Sequence, residues 1–218
     1  MLLKWCSYIK NMNISIIIPC YNSAQYINEC IHSILCQDYD KELYEIIVIF
    51  DSCTDNSREI VEECLKNFPN RKLLSVNCRR PGLARNAGLN IAVGKYVWFI
   101  DSDDYLTDNN AFAQLTRIID ASRRKAIYMT SFESERHINE RFAIWRYFYN
   151  REFLDAERFT NVPIDEDWEF TRRIMRKPGY SEMRLDNTMY HHTFPRDGSV
   201  VTEFFRANKS NLKKPEAF

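Results

Sequence analysis

Along the first 130 residues the hydrophobic pattern switches regularly between two periods. ISIIIP (14–19), YEIIVIF (44–50) and YVWFI (96–100) are short apolar runs rich in β-branched or aromatic residues, as expected of strands buried on both faces. KLLSVN (72–77) and residues 126–130 read as two more strands. Residues 23–37 and 57–67 between them repeat at helical spacing. The first places Ile27, Cys30, Ile31, Ile34 and Leu35 on one face, with Ser23 as N-cap, and the second turns Ile60, Val61, Cys64 and Leu65 inward. Residues 82–93 and 110–121 are also read as helices. Strands and helices alternating over short links predict an α/β fold, a mostly parallel sheet covered by helices on both faces.

Beyond residue 131 the alternation fails. Residues 141–159 mix aromatics with arginines and read as a helix and loops laid over the sheet rather than as a second domain. Asp165, Glu166 and Asp167 stand at the start of a short helix, where the dipole favours acids. NTMYHHT (187–193) reads as a strand and RDGS (196–199) as a turn.

In such folds ligands collect at the carboxyl ends of the parallel strands. The polar clusters of this chain fall there: Cys20-Tyr21-Asn22, Asp51-Ser52-Cys53-Thr54-Asp55 and Asp101-Ser102-Asp103-Asp104. The last puts three carboxylates within four positions at the tip of a core strand. At ~4 Å and an effective dielectric of ~20, each close like-charge pair costs about 4 kcal/mol. A hard cation such as Mg²⁺ or Mn²⁺, bridging to phosphate oxygens, would relieve that repulsion; a solvated turn is the alternative. Asp51 is read as a ligand acceptor or an Asx turn, with Asp55 or Asn56 capping the next helix. In PGLARNAG (81–88) small residues permit close approach to a neighbour, and Arg85 either reaches a phosphate or lies exposed on an amphipathic helix. Glu166-Asp167 offers a general base or simple helix N-terminal acids. His191 and His192 face opposite ways on a strand and do not share a metal.

Composition narrows the class. The chain has 218 residues, 45% hydrophobic and 28% charged, with thirty basic residues balancing thirty acidic ones. It carries no global field for nucleic acid and no apolar run near the ~20 residues of a membrane span. The seven cysteines, without a CxxC, fit reduced thiols of a cytoplasmic protein. Residues 1–12 read as a leader without secretory features, with Met12 a second candidate start, and residues 206–218 as a polar tail.

Together, SIIIPCYNSAQYINECIHSILCQ, FDSCTDNS, RRPGLARNAGLNIAVGKYVWFIDSDDYL and NREFLDAERF followed by DEDWEF resemble the family 2 glycosyltransferases of GT-A fold, in that family's order over residues 13–200. The resemblance implies a single GT-A domain over residues 13–205, with a nucleotide-sugar half at 13–106 and an acceptor half at 107–205. It implies a nucleoside-diphosphate sugar donor, most often a UDP-sugar, and a carbohydrate or lipid-linked acceptor reached in the cytoplasm or at a membrane face. Carried over by motif, Pro19, Tyr21, Asn22 and Asp51 would hold the base, with Arg85 near the nucleotide. Asp101 and Ser102 would lie by the ribose, and Asp103 would be the principal ligand of Mn²⁺ or Mg²⁺, with Asp101 and Asp104 supporting. Asp167 would be the base for an inverting transfer, and Arg196 and Ser199 would close over the diphosphate. Phe50 replaces the first of two acids usual on the second strand, and Ser52-Cys53 replaces Gly-Ser. Those departures leave a second expectation standing, a catalytically weak sugar-nucleotide-binding module acting through a partner. A nucleotidyltransferase would need a glycine-rich basic loop after the first strand, and PCYNSAQ has none.

Overall fold

The computed structural model describes residues 12–129, 131–134, 142–162 and 165–193. Its frame is a seven-stranded sheet. In chain order the strands of that sheet are β1 (Ile14–Cys20), β2 (Tyr44–Asp51), β3 (Arg71–Val76), β4 (Tyr96–Phe99), β6 (Ala126–Met129), β8 (Tyr147–Asn150) and β9 (Glu182–Leu185). Their spatial order is β3-β2-β1-β4-β8-β6-β9. Every pairing is parallel except those of β8, which runs antiparallel to both β4 and β6. A small second sheet joins β5 (Tyr105–Leu106), β10 (Tyr190–His192) and β7 (Glu133–Ser134) in the order β5-β10-β7.

Alternate strand residues feed two cores. Ile16, Ile18, Ile46, Val48 and Trp98 face the helices α1 (Ile27–Leu35), α2 (Ser57–Cys64) and α4 (Ala111–Ser122). Ile17, Ile47, Ile49, Val97 and Phe99 face α3 (Pro81–Ile91) and α6 (Glu166–Met175) on the other side. A short helix, α5 (Arg151–Leu154), follows β8, capped by the Asn150 side chain accepting from Phe153 N at 3.2 Å. Because the central strands are buried on both faces, their sequences show continuous apolar runs instead of alternation.

Two features depart from the sequence reading. Residues 147–150 are not laid over the sheet but form β8 in its middle, with Tyr147, Phe148 and Tyr149 fully buried. A four-residue aromatic strand buried on both faces has no period to read, and its flanking arginines imitate a surface. Arg146, for example, is buried, stacked on Tyr128 and Phe132 and donating Nε to Met129 O at 3.0 Å. The second departure is Ser23, which does not cap α1. That helix begins at Ile27 behind Tyr26 with no side-chain cap, and the Ser23 hydroxyl instead pairs with Ser102.

The end of the sheet opposite the strand tips is tied by a buried carboxylate. Glu45 Oε1 accepts from Ser15 Oγ at 2.6 Å and from Val93 N at 2.7 Å, while Lys72 Nζ lies 2.6 Å from Oε2. Ser15 Oγ in turn accepts from Gly94 N at 2.9 Å. This knot needs glycine at 94, because a Cβ there would lie 2.5 Å from Ser15 N and 2.6 Å from Ile14 C, both rigid strand backbone. Gly94→Ala is therefore expected to lower unfolding free energy by about 1–3 kcal/mol in a urea titration followed by circular dichroism. An unchanged midpoint would show that the start of β1 yields to the added methyl at no cost.

Candidate active site

The tips of β1, β2 and β4 and the start of α3 meet at one edge of the sheet. At the β4 tip the three carboxylates have separate fates. Asp101 Oδ1 accepts from Arg85 Nη2 at 2.7 Å. Asp104 is fully buried; its Oδ2 accepts from Tyr190 Oη at 2.6 Å and lies 3.2 Å from His192 Nδ1, and its Oδ1 accepts from Thr193 N at 2.8 Å. Asp103 stands half-buried between them on the same turn. Burial raises the Asp104 carboxyl above its ordinary range, and the His192 and Tyr190 bonds pull it back. Tyr190 Oη also accepts from Asp101 N at 3.2 Å, so β10 clasps both ends of the acidic turn. Asp104 thus has both oxygens engaged by the chain, and its place is that of a strut rather than an open ligand.

Arg85 is the centre of the arrangement. It projects from α3 and is 3% exposed, not on a solvated helix face. Nη1 donates to Glu166 Oε1 and to Asp167 Oδ1, each at 2.8 Å, while Nη2 holds Asp101. One guanidinium therefore joins the β4 tip to the first turn of α6. The approach depends on Gly82, where a Cβ would lie 2.9 Å from Phe159 Cβ and 3.0 Å from Glu166 Cγ. Asp167 Oδ2 accepts from Ile144 N at 3.2 Å. Burial pushes the Asp167 carboxyl up to about 8, with Arg85 pulling it down and the neighbouring Glu166 and Asp101 charges pushing it further up.

At the tips of β1 and β2, Tyr21 is 42% exposed beside Asn22, whose side chain holds Thr54 by accepting from its N at 2.8 Å. Pro19 is half-buried inside β1. Asp51 is buried and saturated by backbone: Oδ1 accepts from Cys78 N and Arg79 N, and Oδ2 from Arg80 N, at 2.8 to 3.0 Å. It holds the β3–α3 loop and so sets where α3 and Arg85 begin. Phe50 points the other way, into the α1/α2 core with Arg58 over its ring at 4.5 Å. Ser52 takes φ 58, a left-handed conformation that favours glycine, and its hydroxyl donates to Asn77 Oδ1 at 2.8 Å. Ser102 is buried with its Oγ 2.6 Å from Ser23 Oγ, fastening the acidic turn to the β1 loop. The N-cap position of α2 is Asn56, which makes no side-chain cap bond; Asp55, one residue earlier, accepts instead from Ser57 N at 3.1 Å and from Ala24 N at 2.9 Å. Arg196 and Ser199 lie outside the described residues.

The site thus gathers Tyr21, Asn22, Asp51, Ser102, Asp103, Asp101, Arg85 and Asp167 around one sheet edge. Sequence reading missed Tyr190 and His192 as partners of Asp104; across 86 and 88 positions no local spacing could reveal them. Glu166 was read with Asp167 as a general base or a helix-start acid, but not as a partner of Arg85. Among the described residues no group of three His, Cys, Asp or Glu side chains forms a ready-made cation cage. The donor set instead fits an ion that brings most of its ligands with it: Asp103, one remaining oxygen of Asp101, and phosphate oxygens. Mg²⁺ and Mn²⁺ suit one or two carboxylates plus substrate phosphates.

Comparison with known proteins follows the same lines. Over 97 residues, 44% of this chain, the sequence is 44% identical to a poly(ribitol-phosphate) beta-glucosyltransferase of Bacillus spizizenii. It is 42% identical, over the same length, to the Staphylococcus aureus poly(ribitol-phosphate) beta-N-acetylglucosaminyltransferase TarS. The matches span only 15% and 17% of those longer proteins. The crystal structure of S. aureus TarS 1-349 in complex with UDP-GlcNAc superposes with a TM-score of 0.77 at 27% identity, over 88% of this chain and 61% of that one. A mannosyltransferase from Pyrobaculum calidifontis shares the fold at a TM-score of 0.69 and 17% identity, over 98% of this chain and 73% of that one. The family model for Glycosyl transferase family 2 matches residues 15–183, and the chain belongs to that family.

Proposed function

We propose that this chain transfers a sugar from a nucleoside-diphosphate sugar, a UDP-sugar above others, to a hydroxyl of a carbohydrate or lipid-linked acceptor, with inversion at the anomeric carbon. The observation that supports this reading is the Arg85 fork, which joins Asp101 and Asp167 on one guanidinium; in this reading Asp101 serves the donor and Asp167 the acceptor. The UDP-GlcNAc complex of TarS supports a uridine nucleotide as donor. Tyr21 offers an exposed ring face to a base, and Asn22 and Asp51 shape the loops that flank it. Asp103, with Asp101, would hold Mn²⁺ or Mg²⁺ together with the diphosphate, and the cation would neutralise charge on the leaving group.

Asp167 takes the proton from the acceptor hydroxyl. Its burial raises its basicity, and Arg85 keeps a usable fraction of it ionised. Glu166, on the same Nη1, limits how far Arg85 can stabilise the Asp167 anion. Direct displacement needs no covalent nucleophile, and none is needed from the chain here. Among the described residues no helix is long and apolar enough to cross a membrane. In this reading a lipid-linked acceptor would be met at the cytoplasmic face of a membrane.

Calorimetric titration of UDP with and without Mn²⁺, followed by transfer assays, tests the proposal. Asp167→Asn should keep UDP affinity and lose about 10²–10⁴-fold in turnover, whereas Asp103→Asn should lose the Mn²⁺-dependent part of nucleotide binding. Wild-type protein that binds no uridine nucleotide would sink the reading, as would an unimpaired Asp167→Asn. The pH profile has a definite sign. Because the base must be ionised and its pKa is raised to about 8, turnover should climb through the neutral range and level off only above about pH 8. A flat profile from about pH 6 upward would remove Asp167 from the proton transfer.

A further inference from the structure

On the outer side of α6, starting from Trp168, which follows Asp167 in the chain, lies a groove of about 440 Å³ lined by Trp168, Arg172, Arg173 and Arg176 with Val162, Asp165 and Glu169. Trp168 is 47% exposed, the most exposed of the large hydrophobic residues described. The Arg172 guanidinium stacks on its ring at 4.1 Å, and Phe142 meets the same ring edge-on at 5.3 Å. Trp168, Arg172 and Arg176 follow one another at intervals of four, so they form a single slanted stripe about 12 Å long at ~1.5 Å per residue. That stripe starts one residue from the base.

The three arginines are not equivalent. Arg173 is neutralised by Glu157 and by Glu169, whose Oε1 lies 3.0 Å from Arg173 Nε. Among the described residues, Arg172 and Arg176 have no carboxylate within ion-pairing distance, and the remaining acid of the groove is Asp165. Two cations thus stand against one carboxylate on this face, although the chain as a whole is electrically balanced. An exposed indole offers a flat apolar face to the carbon side of a sugar or polyol. A guanidinium held over that indole keeps its outer N–H edge for bidentate contact with a phosphate.

We propose that the Trp168–Arg172–Arg176 stripe is the acceptor subsite, and that it selects acceptors carrying phosphodiester groups near the hydroxyl to be glycosylated. This rests on the reading of the chain as a glycosyltransferase and adds the acceptor class to it. Trp168 seats the polyol or sugar unit, Arg172 binds the adjoining phosphate, and Arg176 meets the next phosphate along the acceptor chain. Neither arginine touches the reacting atoms, so both are specificity residues rather than catalytic ones. The surplus of charge over Asp165 makes the affinity fall as salt rises.

The test uses the full chain and three probes: a short synthetic oligo(ribitol phosphate), a neutral maltooligosaccharide and an oligogalacturonate that carries carboxylates instead of phosphates. Calorimetry should show the oligo(ribitol phosphate) binding best, with affinity falling as salt rises. Arg172→Gln and Trp168→Ala should each weaken that binding about tenfold or more, with UDP affinity intact as the check on folding. In transfer assays the loss should appear in KM for the phosphate-bearing acceptor, with kcat nearly retained. Undiminished binding by Arg172→Gln overturns the proposal, as does a loss in Arg172→Gln that is equal for the neutral probe. Oligogalacturonate binding as tightly as oligo(ribitol phosphate) overturns the phosphate class. If UDP fails to bind wild-type protein, the glycosyltransferase reading itself falls, a result separable from loss of the oligomer alone.

Discussion

The site depends on one buried cation. Arg85 is surrounded by Asp101, Glu166 and Asp167, so three acids share one guanidinium. Burying an unpaired charge of that size would cost several kcal/mol, and the acids would otherwise repel one another at close range. Each group therefore makes the others tolerable. The rest of the local structure serves this contact: Asp51 fixes the loop that launches α3, Gly82 lets α3 approach α6, and Ser102 fastens the acidic turn to β1.

In the proposed reaction, the same contact would let one site serve both halves of the transfer. A carboxylate meant to accept a proton must be more basic than a solvated one yet still ionise. Burial supplies the first condition and Arg85 the second. At the β4 tip, Asp101 is engaged through one oxygen and Asp104 through two, so Asp104 serves the turn itself. The electrostatic strain apparent in three adjacent acids is thus divided among an arginine, a tyrosine–histidine pair and, in the proposed complex, a metal ion.

Much of this was legible in the sequence. The β1, β2 and β4 runs declared themselves because buried parallel strands are continuously apolar, and their polar ends do come together at one end of the sheet. Asp167 stood out at a helix start after the acidic turn, and the small residues around Arg85 foretold a close helix contact. What escaped had physical reasons. Strand β8 is too short and too uniformly aromatic to carry a period. The fate of Asp104 depends on Tyr190 and His192, which only the folded chain brings near it. Arg85 looked like a phosphate ligand or a surface charge because nothing local shows that its partners are carboxylates 16, 81 and 82 positions further on.

The account turns on Arg85 controlling the basicity of Asp167, and carboxyl-carbon NMR of ¹³C-aspartate-labelled protein measures this directly. Asp167, assigned by its loss in Asp167→Asn, should titrate well above the ordinary carboxylate range in the wild type. In Arg85→Gln, with the other aspartate resonances reporting an intact fold, its pKa should move higher still, because the chief group lowering it is gone. An Asp167 that titrates like a solvated carboxylate, or that is indifferent to the loss of Arg85, would contradict the central role given to this ion cluster.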